Sequence, residues 1–129
     1  MLLLKNADLY APEHIGRSDV LLGGGKILAV SKGLDFRVDG LEIYDLEGKI
    51  LAPGLIDQHM HITGGGGEAG YHSRTPEITL SRIIRYGTTT VVGTLGTDGC
   101  TRSLENLYSK AKALEYEGIS TFIHTGSYA

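Results

Sequence analysis

The sequence has a single cysteine, Cys100, so it holds no internal disulfide framework and suits a reducing compartment. It also lacks any apolar run near the roughly 20 residues that a membrane span needs. The opening Met1-Leu2-Leu3-Leu4 is halted by Lys5, too soon for the core of a signal peptide. Charge of one sign is scarce as well: the formal net charge is −3 and no basic run exists, which leaves nucleic-acid binding without a footing. Together these absences predict a cytoplasmic protein with no membrane or nucleic-acid partner. What is present points to a folded chain. Hydrophobic residues make up 41% of the 129, enough for a core and too many for a disordered tail. By length alone, one domain is expected. The 19 glycines cluster at 23–25 and 64–67, which argues for special turns rather than a flexible or repetitive segment.

Residues 1–53 read as a β-rich lead-in. Leu2–Lys5, Asp19–Leu22, Lys26–Ser31, Glu42–Leu46 and Lys49–Leu51 are short apolar or alternating runs separated by turn residues. Gly23-Gly24-Gly25 and Glu47-Gly48 are expected to close hairpins in a small antiparallel sheet. From residue 54 to 129 strands alternate with helices, the pattern of a parallel βα array. Leu55–Ile62 is the first strand. Thr75-Pro76-Glu77 predicts a helix start, with Thr as N-cap, Pro in the first turn and Gly87 past the end. Thr88–Val92, unbroken and β-branched, predicts a strand buried on both faces. Leu104, Leu107, Tyr108, Ala111 and Leu114 mark a second amphipathic helix ended by Gly118, before a third strand over Ile119–Thr125. Three such strands cannot close a barrel, which takes about eight strands and about 250 residues. The chain is therefore read as the N-terminal part of a larger α/β protein, with a free-standing open sheet as the alternative.

The chemistry concentrates between Pro53 and Glu68. Positions two apart on a strand share a face, so Asp57, His59 and His61 are expected on one side of the first strand. Two imidazoles so placed can hold one divalent metal, although catalytic zinc normally takes three protein ligands. Asp57 could bind the metal, orient a histidine ring, or simply satisfy backbone at the strand end. Gly64–Gly67 lacks the Lys-Ser/Thr of a phosphate loop and suits approach of backbone N–H groups to a small anion. Glu68 follows it, placed to meet a cation or move a proton. Thr97, Asp98 and Tyr128 fall beyond strand ends, where ligand sites of parallel sheets lie. Cys100 has no histidine coupled to it locally and reads as inert.

Pro53-Gly-Leu-Ile-Asp-Gln-His-Met-His61 resembles the first-strand metal motif of the amidohydrolase superfamily, and Asp19–Val30 resembles its β-sandwich lead-in. A narrower resemblance, to the isoaspartyl dipeptidase (β-aspartyl peptidase) family, rests on His61–Gly70, Arg74–Glu77, Val91–Asp98 and Gly118–Tyr128. It covers essentially the whole chain. The resemblance implies a (β/α)8 barrel preceded by a small β-sandwich segment, of which this chain carries the sandwich (1–53) and an incomplete barrel (54–129). It implies a metalloprotease, homo-oligomeric when full length, with two zinc ions, hydrolysing β-aspartyl dipeptides by a metal-activated hydroxide. His59 and His61 match metal ligands. Glu68 matches the residue that recognises the substrate α-amino group and shuttles a proton. Gly66 and Thr97 match contacts to the aspartyl α-carboxylate, and Tyr128 matches the residue that polarises the scissile carbonyl. The family's bridging lysine, later histidines, catalytic aspartate and substrate arginines have no counterparts here, so the 129-residue chain is expected to be inactive alone. Another amidohydrolase acting on cyclic imides or amines, or a non-catalytic metal-binding module, are the alternatives.

Overall fold

A computed structural model describes residues 1–126 and resolves two compact units, the first Met1–Pro53 and the second starting at Gly54. Together they form a mixed α/β chain.

In the first unit β1 (Leu2–Tyr10) turns through Ala11–Glu13 into β2 (His14–Gly23), and two glycines lead on to β3 (Lys26–Ser31). These three pair antiparallel, but β4 (Glu42–Asp45) and β5 (Ile50–Leu51) both lie parallel to β1. The expected all-antiparallel sheet is thus a mixed one, and Glu47-Gly48 closes no hairpin. The turn is instead stitched to β1: Leu46 N–H donates to Lys5 O, and Gly48 N–H to Asn6 O. Both flanking strands therefore run beside the same partner. β1 also runs past the expected Lys5, because an irregularity at Asn6 (φ 57°) sets Ala7 and Leu9 into the core with Leu3, Val20 and Leu21.

Asp19 secures that irregularity. It is 3% exposed, and its two carboxylate oxygens accept the Asn6 and Leu34 backbone N–H groups, each at 2.8 Å. Asp19→Ala is expected to cost about 2–6 kcal/mol, since it leaves two donors unpaired and each costs about 1–3 kcal/mol. Asp19→Asn, which keeps one acceptor oxygen, should cost about half as much. Urea denaturation of the two variants checks this; a loss below about 0.5 kcal/mol for alanine would refute it.

In the second unit β6 (Leu55–Met60), β7 (Thr88–Gly93) and β8 (Ser120–Ile123) form a parallel sheet in that order. α1 (Leu80–Ile84) and α2 (Leu104–Tyr116) are its helices, and Ile62, Ile83, Val91, Leu95, Leu107 and Leu114 form the core. Ser103 caps α2 by accepting the Asn106 N–H. α1 is shorter than the sequence predicts and begins after Thr79, not Thr75. The reason is long-range. Thr75 N–H donates to Gly65 O and its hydroxyl accepts the Gly65 N–H, while Ile78 N–H donates to Ile62 O. Residues 75–78 thus run extended along the glycine loop. Nor is β7 covered on both faces over its whole length: Thr89 is exposed, as are Leu55, Ile56 and Phe122 on the neighbouring strands. Among the described residues no helix is long and apolar enough to cross a membrane.

Candidate metal centre and ligand loop

β6 delivers His59 on its last turn of pleat and His61 just beyond its end. Their rings stand edge to face with centroids 5.2 Å apart, so local strand geometry brings the two imidazoles together as alternation predicts. Asp57 accepts the His59 backbone N–H at 3.0 Å, the backbone-satisfying role among those open to it. His61 is half-buried, and its Nδ1 is buried without a hydrogen-bond partner. A buried ring nitrogen left bare calls for a partner, and two imidazoles at this separation are donors that zinc accepts. The pair fits part of a metal site. Among the described residues no group of three His, Cys, Asp or Glu side chains completes it.

Gly96 decides where His61 can sit. Its φ is +77°, and a Cβ built there would lie 2.6 Å from Cε1 and 2.7 Å from Nδ1 of the His61 ring. Only a residue without a side chain lets the backbone after β7 come this close to that imidazole. Nothing in the local sequence distinguished Gly96 from other loop glycines; its role exists only across the sheet.

The loop 64–67 is held from three sides. Gly65 N–H donates to Thr75 Oγ1 at 2.8 Å and Gly67 N–H to Ser73 Oγ at 3.2 Å. Gly66 has φ +73°, and a Cβ there would meet Ser73 O at 2.4 Å, so the chain packs where only glycine fits. The Gly66 N–H donates to no acceptor among the described residues. Sequence reasoning missed Arg102, which is 4% exposed and donates to Gly65 O, Gly66 O and Thr75 O at 3.2–3.4 Å. A lone arginine after a loop carries no signal of such a clamp. Asp98 stands beside it: the carboxylate accepts from Thr101 N–H and hydroxyl and pairs with Arg74 at 3.1 Å. These bonds, the Thr101 hydroxyl foremost, hold Asp98 below the usual aspartate range.

Glu68 and Thr97, 29 residues apart, meet through a Thr97 hydroxyl that donates to Glu68 Oε1 at 3.0 Å. Glu68 is held below its ordinary value of 4.5, first by its own backbone N–H and then by that hydroxyl. A carboxylate lowered in the folded state stabilises folding above its unfolded value and loses that contribution as pH falls through the lowered one. Thr97→Val should move the Glu68 titration upward, toward 4.5 but not fully to it, because the backbone donor remains. Carbon-detected NMR titration of the Glu68 carboxyl reads the shift, and an unmoved titration would show the hydroxyl to be idle. Tyr128 lies outside the described residues. His14 pairs with Asp8 in the first unit, His72 occupies a 3₁₀ turn, and His124 is exposed after β8. Cys100 is exposed.

No family model matches the sequence. Among characterised proteins, the chain is 41% identical over 86 residues to a dihydroorotase of Lactobacillus leichmannii, spanning 67% of this chain and 17% of that protein. Its fold is that of D-hydantoinase (dihydropyrimidinase) from Thermus sp., with a TM-score of 0.70 at 24% identity over 97% of this chain and 27% of the other. These homologues are amidohydrolase-type hydrolases. The likeness narrows with β-aspartyl dipeptidase from Fervidobacterium islandicum AW-1, solved in complex with a β-Asp-Leu dipeptide. There the identity is 58% and the TM-score 0.91, over 98% of this chain and 33% of that one. The chain thus resembles the N-terminal part of β-aspartyl dipeptidases, and it spans a third or less of the length of each of these relatives.

Proposed function

We propose that this chain supplies the N-terminal part of a zinc-dependent β-aspartyl (isoaspartyl) dipeptidase, with a β-sandwich segment over 1–53 and the first strands of a (β/α)8 barrel over 54–129. The observation that carries the reading is the 58% identity, over 98% of the chain, with an enzyme whose structure holds β-Asp-Leu. His59 and His61 would hold one of two zinc ions. Bound zinc would supply Lewis acidity and a more acidic water.

The chain's own residues supply recognition. In a β-linked dipeptide both the α-ammonium and the α-carboxylate of the aspartyl residue are free, on one carbon. Glu68 meets the ammonium as a carboxylate, and its position lets it carry a proton during peptide cleavage. The Gly66 N–H receives the α-carboxylate, and the Thr97 hydroxyl turns its one proton from Glu68 to that carboxylate as the substrate ammonium takes its place on Glu68. These groups lie within a few residues or one hydrogen bond of each other, as two charges on one carbon require. Tyr128 is assigned to polarising the scissile carbonyl. In an α-linked dipeptide the α-carboxylate is consumed in the peptide bond, so the same site rejects it.

The test is turnover by the natural polypeptide that carries this sequence, with zinc, of β-Asp-Leu, α-Asp-Leu and dihydroorotate. Hydrolysis of the first at least about a hundredfold faster than of the second is expected, since a site built for a charged group leaves its donors unpaired with the wrong isomer. The dihydroorotase likeness favours a second reading, a cyclic-amide hydrolase. Dihydroorotate has no ammonium for Glu68, and its turnover in place of the dipeptide would replace the first reading with the second.

A further inference from the structure

We propose that Arg102 is a positioning residue for the ligand carboxylate, acting through the Gly65–Gly66 peptide; the proposal rests on the dipeptidase reading for the identity of that ligand. The Gly65 carbonyl accepts from Thr75 N–H at 2.9 Å, from Thr75 Oγ1 at 3.2 Å and from Arg102 Nη2 at 3.2 Å. This peptide bond is trans, so its N–H, which belongs to Gly66, points opposite to its carbonyl. Holding the carbonyl down therefore aims the Gly66 N–H away from Arg102 and Thr75. The next carbonyl, Gly66 O, is held by Arg102 Nη1 at 3.4 Å, so one guanidinium fixes two consecutive peptide planes. Its planar fork suits this, whereas a lysine ammonium offers a single point.

The guanidinium also polarises what it holds. A carbonyl that accepts from a cation makes the N–H of the same peptide a stronger donor. Arg102 is almost fully buried, and its carboxylate neighbour Asp98 stands 4.0 Å away and is engaged by Thr101 and Arg74. Its positive charge reaches the loop with little screening by water. Gly66 thus presents one aimed, strengthened donor, while the N–H groups on either side are already used.

The experiment compares Arg102→Ala and Arg102→Lys with the wild type in the natural zinc-loaded polypeptide. It reads kcat and KM for β-Asp-Leu, rescue by low-millimolar guanidinium, and hydrogen exchange over residues 62–68 and over α2. Loss of bonds from a charged donor predicts a KM raised about tenfold or more in both variants, with kcat changed far less. Guanidinium should restore KM in Arg102→Ala and leave the wild type unchanged. Exchange should quicken over 62–68 and not over α2. An unchanged KM, a folded alanine variant that guanidinium does not rescue, or exchange that rises equally in both segments overturns the proposal. If Arg102→Ala does not fold, Arg102→Lys decides by the same KM and exchange readings. If the wild type fails to hydrolyse β-Asp-Leu, the dipeptidase reading falls, and exchange over 62–68 in Arg102→Lys still decides whether Arg102 holds the loop.

Discussion

Replacing either His59 or His61 by alanine in the natural polypeptide is expected to lower β-aspartyl dipeptide hydrolysis by at least about a thousandfold. Metal-assisted hydrolysis draws several kcal/mol of transition-state stabilisation from the ion, and each 1.4 kcal/mol is about tenfold in rate. Zinc is held through its ligands, so the same variants should lose bound metal, read by elemental analysis after dialysis against a weak chelator. Two features make the effect specific to this pair. The rings stand 5.2 Å apart at the end of β6, and the His61 Nδ1 is buried without a partner. Among the described residues no third ligand group is at hand to take over from either histidine. His14→Ala is the control, because His14 pairs with Asp8 in the first unit. Variants that keep both their zinc and their turnover within tenfold would make the paired histidines structural.

Gly96→Ala should reproduce much of that loss without touching a ligand. The new Cβ would stand 2.6 Å from the His61 ring, closer than carbon atoms approach, and the ring must rotate or the loop after β7 must retreat. Displacing a ligand's support costs about 10–100-fold in metal affinity. A φ of +77° adds about 1–2 kcal/mol of backbone strain once a side chain is present, lowering stability by a similar amount. Chelator competition for zinc and thermal unfolding separate the two effects. Zinc affinity unchanged beside a lowered Tm would mean that the backbone strains while the ring finds its place, and that Gly96 serves the fold alone.

The elements that could be read from the chain are those governed by neighbours in sequence. Strand alternation set His59 and His61 together, the apolar spacing from Leu104 with Gly118 past its end marked α2, and the glycine cluster at 64–67 marked a loop built for close approach. At two places where expectation and structure part, a distant partner is responsible. Thr75-Pro76-Glu77 has the composition of a helix start, yet Thr75 spends its N–H and hydroxyl on Gly65, ten residues back. Glu47-Gly48 has the composition of a hairpin, yet both flanking strands are drawn to β1 by backbone bonds at Lys5 and Asn6.

Thr97 and Glu68 were legible as members of one site only through family resemblance, because 29 residues separate a threonine and a glutamate that are individually unremarkable. Arg102 and Gly96 were not legible at all. An arginine reveals its role by what it donates to, and its acceptors, Thr75, Gly66 and Gly65, lie 27, 36 and 37 residues away. A glycine reveals its role by what a Cβ would strike, here a ring just past the end of β6. Residue order was sufficient for the pairing of His59 with His61 and for the loop beside them, since both follow from the period of a strand and the freedom of glycine. Aiming that loop and seating His61 required the folded chain, because buried hydrogen bonds and close contacts form only once remote segments share one core.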